Sequence, residues 1–483
     1  MVTCVRSVCL LFVFILWPIS ASAQKEPLSR VLFDLLLESV IMQSTAATVA
    51  GNPHDAHYIP GLSQNAAPFE LNKALVSQLS TFPIGSSSGG FTYNVDPATG
   101  AITPASSSFG PSFAERPLTI GRGKFNAGFN YQHAAYNSFE GVDLDDGSIK
   151  FLLRHNNCCP ATNNSPKDIT DLMPFFEGDL AETALSLDLK TDTFTFAGNY
   201  GITNNLDVGV VVPFVRVDLQ ASTRSTIIRL STGSSGPGDP DPNNIHSWDG
   251  RGATIRELPA RGGSATGLGD LLFRAKYAFL KTETGGVAAG VDLRLPTGDE
   301  EDLLGSGATQ TRLLFIGAGQ MGNISPHVNF GYTFSSGQLS TTLNDLDVPT
   351  IPGSQVLSDL SPSGVGLDVP DELNYTFGLD YAATPAVTVA FDVIGRTLRN
   401  IHRFEVSDTS FRFLRANEAQ PRTATYSQLD LAEGTNLNLL LGAVGVKVNV
   451  GGTLLLTASV LFPITDNGLR PQVTPVFGFD YGF

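Results

Sequence analysis

From about residue 124 to the end of the chain, apolar and polar positions alternate one by one over long stretches. Phe125, Ala127, Phe129 and Tyr131 interleave with Asn126, Gly128, Asn130 and Gln132. Leu271, Phe273, Ala275 and Tyr277 interleave with Arg274 and Lys276, and Val328, Phe330, Tyr332 and Phe334 with His327, Asn329, Gly331 and Thr333. A period of two is that of a strand, whose side chains point to opposite faces in turn. Each strand therefore has an apolar face and a face carrying charge and glycine. A soluble sandwich buries its apolar faces between two sheets, whereas a membrane barrel turns them to lipid and keeps the polar face for a lumen. Three features favour the barrel. The strands run to roughly ten residues or more, as a tilted membrane strand requires. The polar face carries ions of both signs. The connections alternate between short and long.

Short turns fall at Thr203–Asn205, Thr282–Gly285, Gly319–Asn323, Thr384–Pro385 and Asn449–Gly452. Longer connections fall at 140–180, 223–264, 298–306, 336–370, 401–429 and 465–473. Outer-membrane barrels have short periplasmic turns and long extracellular loops. The alternation predicts an all-β fold: a transmembrane antiparallel barrel of twelve strands near 124–139, 182–202, 206–222, 265–281, 286–297, 307–319, 323–335, 371–383, 386–400, 430–448, 452–464 and 474–483. Dividing 182–202 into two strands would make fourteen. Interruptions of the alternation near Thr191 and Pro213 read as bulges. An even count returns both ends of the barrel to the periplasm, and the last strand must pair with the first to close it.

Ahead of the alternation the texture differs. Residues 1–23 read as a secretory signal: Arg6 supplies the positive end, Leu10 to Trp17 an apolar run, and Ala21, Ser22 and Ala23 a small-residue cleavage site. Export with a barrel pattern predicts the outer membrane of a Gram-negative bacterium. Residues 24–123 form an N-terminal segment, partly helical or irregular. Leu32, Leu35, Leu36, Val40 and Ile41 follow a helical period, and 51–115 are rich in Gly, Ser, Pro and Ala. This segment precedes the barrel on the periplasmic side, from which it could enter and plug the lumen. The barrel domain is 124–483.

Composition supports this division. The 483 residues are 42% hydrophobic and 16% charged, well below the ~25% charge of soluble proteins, with 49 glycines. No stretch beyond the signal approaches the ~18 apolar residues of a membrane helix. A formal charge of −16 leaves no basic patch to release phosphate counterions, which argues against nucleic acid. The final segment places Phe477, Phe479, Tyr481 and Phe483 on one face of a strand that ends the chain. Such an ending resembles the signal read by the barrel assembly machinery. The other expected partners are outer-membrane lipid and lipopolysaccharide, and a small-molecule solute.

Little in the chain suggests catalysis. Gly85 to Gly89 matches G-x-S-x-G, but Pro83 and Gly90 flank it where a nucleophile elbow needs a strand and a helix. His133 and His327 sit among polar neighbours that place both on the lumen face, and neither has an evident serine partner. Cys158 and Cys159 are adjacent and read as loop thiols or a vicinal bridge. The acidic runs Asp299–Asp302 and Asp143, Asp145 and Asp146 read as solvated loops; the sharper alternative is divalent cations bridging to lipopolysaccharide phosphates. No enzyme, cofactor or metal site is expected. The candidates for lining the lumen are Asp207, Arg216, Asp270, Arg274, Lys276, Asp292, Arg294, Arg312, His327, Asp380, Asp392 and Arg396.

Four stretches carry a resemblance: FGPSFAERPLTIGRGK (109–124), YGITNNLDVGVVVP (200–213), ATGLGDLLFRAKYAFL (265–280) and VDLRLPTGDEEDLLG (291–305). They resemble the outer-membrane barrel transporters grouped with the meta pathway of phenol degradation, distantly similar to outer-membrane long-chain fatty-acid transporters. The likeness spans roughly 109–483 and consists of strand-and-turn patterns without a catalytic signature. It implies passive uptake of small hydrophobic or aromatic molecules, with an N-terminal segment in the lumen. The competing expectation is a structural or adhesive surface protein whose loops carry the function.

Overall fold

The computed structural model describes residues 27–42, 58, 67–79, 90, 93–95, 102–104, 106–155, 172–173, 178–231, 246–249, 253–282, 284–339, 367–415, 418–432 and 436–483. The predicted signal peptide, the Gly85–Gly89 motif and Cys158–Cys159 lie outside these residues.

Twelve antiparallel strands close into a barrel. They are β1 (Phe125–Phe139), β2 (Leu180–Gly201), β3 (Leu206–Ile228) and β4, interrupted, as Ile255–Leu268 and Leu271–Thr282. Then come β5 (Gly285–Leu295), β6 (Thr309–Gly319), β7 (Ile324–Ser336) and β8 (Glu372–Thr384). The last four are β9 (Val387–Arg399), β10 (Asn436–Val450), β11 (Leu454–Pro463) and β12 (Thr474–Gly482). Each strand pairs with its sequence neighbours, and β1 also pairs with β12, Tyr131 opposite Phe477 and Phe129 opposite Phe479. Closure leaves no edge strand, so every backbone group at membrane depth finds a partner. Phe483 adds the last rung, its amide donating to the Phe125 carbonyl at 2.8 Å.

One parity of each strand is an exposed apolar face. Phe273, Phe315, Phe330, Phe377, Phe391 and Phe477 are each roughly half exposed, and in water such a continuous aromatic belt would be costly. The belt makes the protein a membrane-spanning barrel, and a barrel of this kind belongs to the bacterial outer membrane. The opposite parity is buried and polar. It faces inward.

β2 and β3 run to 22 and 23 residues and pair without a slip along their whole length, Thr191 opposite Val217 and Thr195 opposite Pro213. The fourteen-strand option therefore falls, and no bulge exists at Thr191. The alternation inverts there because the surroundings change while the backbone does not. From Phe194 down the outward residues are Phe194, Phe196 and Tyr200; from Asp192 up they are Asp192, Lys190 and Asp188, and the inward ones above Thr191 are Leu185, Leu187 and Leu189. The strand has left the bilayer, so the outside is water and the inside is a protein core. At Pro213 a bulge does occur, but in the partner strand: Leu268 lies opposite Phe214 and Leu272 opposite Val211, so three β4 residues span two of β3. The Gly269 amide there donates to the Pro213 carbonyl at 2.8 Å. The connection after β9 is not irregular either. It holds a hairpin, Phe404–Phe413 with Arg422–Leu431, so β10 starts at Asn436 rather than at 430.

The extended collar of β2, β3 and β4 encloses two helices, α1 (Leu28–Ser39) and α2 (Ala67–Leu79). Val31, Leu32, Leu35, Leu36, Leu71 and Leu75 join Leu187, Leu219, Phe139 and Phe404 in one core. The helices thus sit at the long-loop end, not the periplasmic end expected from their place before β1. The reason is burial. α1 hides Phe33 and Leu37 as well as its periodic leucines, so it needs apolar surroundings on most sides, and the collar supplies the most extensive apolar inward wall. The acidic run Asp299–Asp302 turns out to serve α1. Pro27 offers no side-chain cap, and instead the Ser29 amide donates to the Glu301 carbonyl (2.9 Å) and the Leu28 amide to Asp302 Oδ1 (3.3 Å). Carboxylates there also complement the positive end of the helix.

Candidate lumen path

Below the helices the inward wall is polar, and the strand register arranges it in rows. Arg274, Asp292, Arg312, Thr333 and Glu372 lie side by side across β4, β5, β6, β7 and β8. Neighbours on one face of adjacent strands are within reach of each other, so the charges in this row pair directly. Asp292 receives Arg274 Nε at 2.6 Å and Nη2 at 2.8 Å, and Arg312 Nε at 3.0 Å. Glu372 receives Arg396 Nη2 at 2.6 Å and Nε at 3.2 Å. A second row holds His327, Gly378 and Asp392. His327 Nε2 lies 2.6 Å from Asp392 Oδ1, and its Nδ1 lies 3.3 Å from Asp380.

Gly378 makes the His327 contact feasible. A Cβ there would overlap the Phe391 carbonyl, His327 Nε2 and Asp392 Oδ1 together. Two of these obstacles are a fixed backbone atom and a buried ion pair. Gly378→Ala should therefore destabilise the barrel by about 2–3 kcal/mol, since strain and a lost buried pair act together. Urea unfolding of the refolded protein would measure it; a change within ~0.5 kcal/mol, as at an ordinary surface site, would show that the glycine is dispensable.

Residues 106–123 cross the lumen as a strap bound to these rows. The Phe109 amide donates to Thr388 at 3.0 Å, and the Ser112 and Phe113 amides both donate to Asp392 Oδ2 at 3.2 Å. Lys447 Nζ donates to the Pro111 carbonyl at 2.7 Å. Asn329 reads the Glu115 peptide on both sides, accepting its amide at 2.6 Å and donating to its carbonyl at 2.9 Å. The Glu115 carboxylate bonds Arg274 and lies 3.5 Å from Lys276. Nearer the short turns, the Ile120 amide donates to Asp207 at 3.0 Å. The wall thus supplies the partners that an irregular backbone at membrane depth must have.

Eleven of the twelve lumen candidates are on the inside. Asp207, Arg274, Lys276, Asp292, His327, Asp380 and Asp392 are buried on the inward face, and Arg294, Arg312 and Arg396 line a cavity. Asp270 is buried at the β4 bulge, where it accepts the Gly298 amide and the Ser306 amide and hydroxyl, so it anchors a loop rather than facing open space. Arg216 is the exception. It shares outward parity with Phe214, is half exposed, and pairs with Asp218 at 2.9 Å. His133 likewise points outward, to Asp192 at 2.8 Å. Both lie above the lipid belt, where polar side chains belong on the outer face, and that inversion misled the reading of their neighbours. Glu115, Arg116 and Arg470 were missed because an irregular segment and a loop offer no period from which to assign a face.

The cavity lies between the strap and the wall. It measures about 110 Å³ and is lined by Phe113, Glu115, Leu272, Leu314 and Ile394, together with Arg274, Arg294, Arg312 and Arg396. Fold and lumen together define an outer-membrane β-barrel with a strapped, charge-lined interior. Residues 178–391 match the family model described as "Putative MetA-pathway of phenol degradation". This is the family that the sequence resembles, and the match contains three of the four stretches that carry the resemblance. Among solved structures, the chain is similar to an outer membrane channel from Pseudomonas putida F1 (12% identity, 76% of this chain and 97% of that one, TM-score 0.39). It is also similar to a Pseudomonas aeruginosa FadL homologue (11% identity, 83% and 98%, TM-score 0.30). A monoaromatic hydrocarbon channel, CymD, matches at 9% identity over 75% and 89%, with a TM-score of 0.25. No curated protein sequence matches the chain.

Proposed function

We propose that the protein is a passive channel of the bacterial outer membrane, admitting small hydrophobic or aromatic solutes. The observation that carries this reading is the cavity between strap and wall. A barrel serving only as a scaffold has no need of an internal space about 110 Å³ in volume, and this one meets aliphatic side chains as well as ions. Residues 24–123 act as the plug, α1 and α2 at the loop end and the strap below them. From Phe109 to Glu115 the strap is held by hydrogen bonds and an ion pair to wall side chains, so this part can detach without disturbing the barrel ladder.

The competing reading, a structural or adhesive surface protein, draws on the helix-filled collar and the ordered hairpin Phe404–Phe413 with Arg422–Leu431. Single-channel conductance of the refolded protein, with and without residues 25–115, separates the two. The channel reading expects low conductance from the full chain and a several-fold rise on deletion. If both forms stay closed and a strain lacking the protein takes up aromatic solutes normally, the surface-protein reading stands instead.

Phe477, Phe479, Tyr481 and Phe483 present the assembly signal on the lipid face, where Phe483 also packs on Phe125 at 5.6 Å between ring centres. Deleting Phe483 should reduce the amount of folded barrel in the outer membrane several-fold, read as the heat-modifiable band on unboiled gels. Undiminished insertion would show that the machinery reads the preceding aromatics alone.

A further inference from the structure

A second, smaller cavity adjoins the first, and the two share Ile394 and Arg396. Its walls are apolar, with Leu439, Leu441, Leu461 and Leu469 among them, and Gln78 of α2 borders it from above. Besides Arg396, Gln78 and Tyr136, two polar groups line it. Arg470, in the β11–β12 connection, is buried, and its Nε and Nη2 donate to the Asn467 carbonyl (2.6 Å) and to Thr465 (3.2 Å). Neither partner is a carboxylate. Thr474, at the start of β12, is 1% exposed and its hydroxyl has no hydrogen-bond partner.

From this arrangement we infer that these neighbouring cavities bind a small carboxylate with an apolar body, its carboxylate at Arg470 and the Thr474 hydroxyl, beside the Arg396–Glu372 pair, and its body against the leucines. The inference rests on the channel reading and narrows its solute class. The chemistry of the donors carries it. Arg396 already holds Glu372 through Nη2 and Nε, and Arg470, whose bonds go only to neutral oxygens, supplies the charge for a carboxylate. A buried hydroxyl without a partner is costly to maintain in a site that never receives one. The surrounding leucines would exclude a fully hydrated anion such as acetate, and would favour one that can shed water from its apolar part. Burial, and next the neighbouring Arg396, hold the Arg470 guanidinium down to about 10 against the opposing pull of Glu140 and Asp466, a position that a bound carboxylate would relieve further.

The test uses the full-length refolded barrel and titration calorimetry with benzoate, its neutral isostere benzamide, and acetate. Benzoate should bind about tenfold or more tightly than either, the difference expected of one charge-assisted contact. Arg470→Met should bring benzoate affinity down to that of benzamide, while Arg470→Lys should stay within about threefold of the parent, since it keeps the charge. Arg470 lies outside the wall ion pairs, and heat modifiability of the variants verifies folding. Equal affinity for benzoate and benzamide in the parent protein overturns the inference, and needs no variant. Acetate binding as tightly as benzoate overturns the apolar half of it. A protein that conducts salt after plug deletion yet does not bind benzoate leaves the channel reading standing and removes only this one.

Discussion

Replacing Asp392 by leucine should both weaken the barrel and release the strap. Asp392 is 3% exposed and does three things at once. Its Oδ1 takes His327 Nε2 at 2.6 Å, and its Oδ2 takes the amides of Ser112 and Phe113 at 3.2 Å. Removing one partner of a buried charged pair costs about 3–5 kcal/mol, most of it the penalty of leaving the other charge buried alone. Asp380 still faces His327 at 3.3 Å, so the loss should fall at the low end of that range. The two strap amides lose their acceptor in the same step. Urea unfolding in lipid vesicles would report the stability, and planar-bilayer recording would report the strap, expected as frequent opening events absent from the parent. Asp392→Asn keeps an acceptor and should open far less often. A leucine variant that is destabilised yet stays closed would mean that the strap is held by its other contacts.

Glu115 should matter as much, from the side of the strap. It is 4% exposed and its carboxylate serves both Arg274 and Lys276. Glu115→Ala leaves Lys276 without its nearest strap anion, although Asp207 remains opposite it on β3. Arg274 retains its bidentate contact with Asp292. The expected cost is again about 3 kcal/mol, for the same reason. A cycle combining Glu115→Ala with Arg274→Met should lose less than the sum of the two single changes, with a coupling energy of about 1–3 kcal/mol, because both single changes break the same Glu115–Arg274 pair. Additive losses would show that strap and wall are energetically independent. The ionic consequence is separate and readable in the same recordings: removing the acid leaves Arg294, Arg312 and Arg396 dominant around the cavity, so any current should shift toward anions.

The wall was legible in the sequence because a strand in a barrel meets only two environments. Phe330 outward and Asn329 inward follow from alternation alone, as do Arg274 and Asp292 on one face. The reading failed where a third environment entered. Arg216 alternates correctly with Val215 and Val217, yet it lies above the lipid, where the polar face is the outer one. Alternation gives two faces without saying which is inside, and near Thr191 the sequence changes sides with no mark in the backbone. The acidic run at Asp299–Asp302 illustrates the other limit: it looks solvated in isolation, and only the arrival of α1 gives it a helix end to cap.

By itself, then, the sequence determined a closed barrel of twelve or fourteen strands, its short and long ends, the lipid belt and most of the charged inner face, because period and turn length are local properties; the unbroken pairing of β2 with β3 decided for twelve. The tertiary structure alone decided the rest. It put α1 and α2 at the loop end, laid residues 106–123 across the lumen, and brought Arg396, Arg470 and Thr474 to one apolar pocket. These groups come from segments without a repeating pattern, or from positions tens of residues apart. Their meeting depends on where the collar is apolar, where the wall offers acceptors to an irregular backbone, and how the barrel closes, none of which any single stretch of sequence contains.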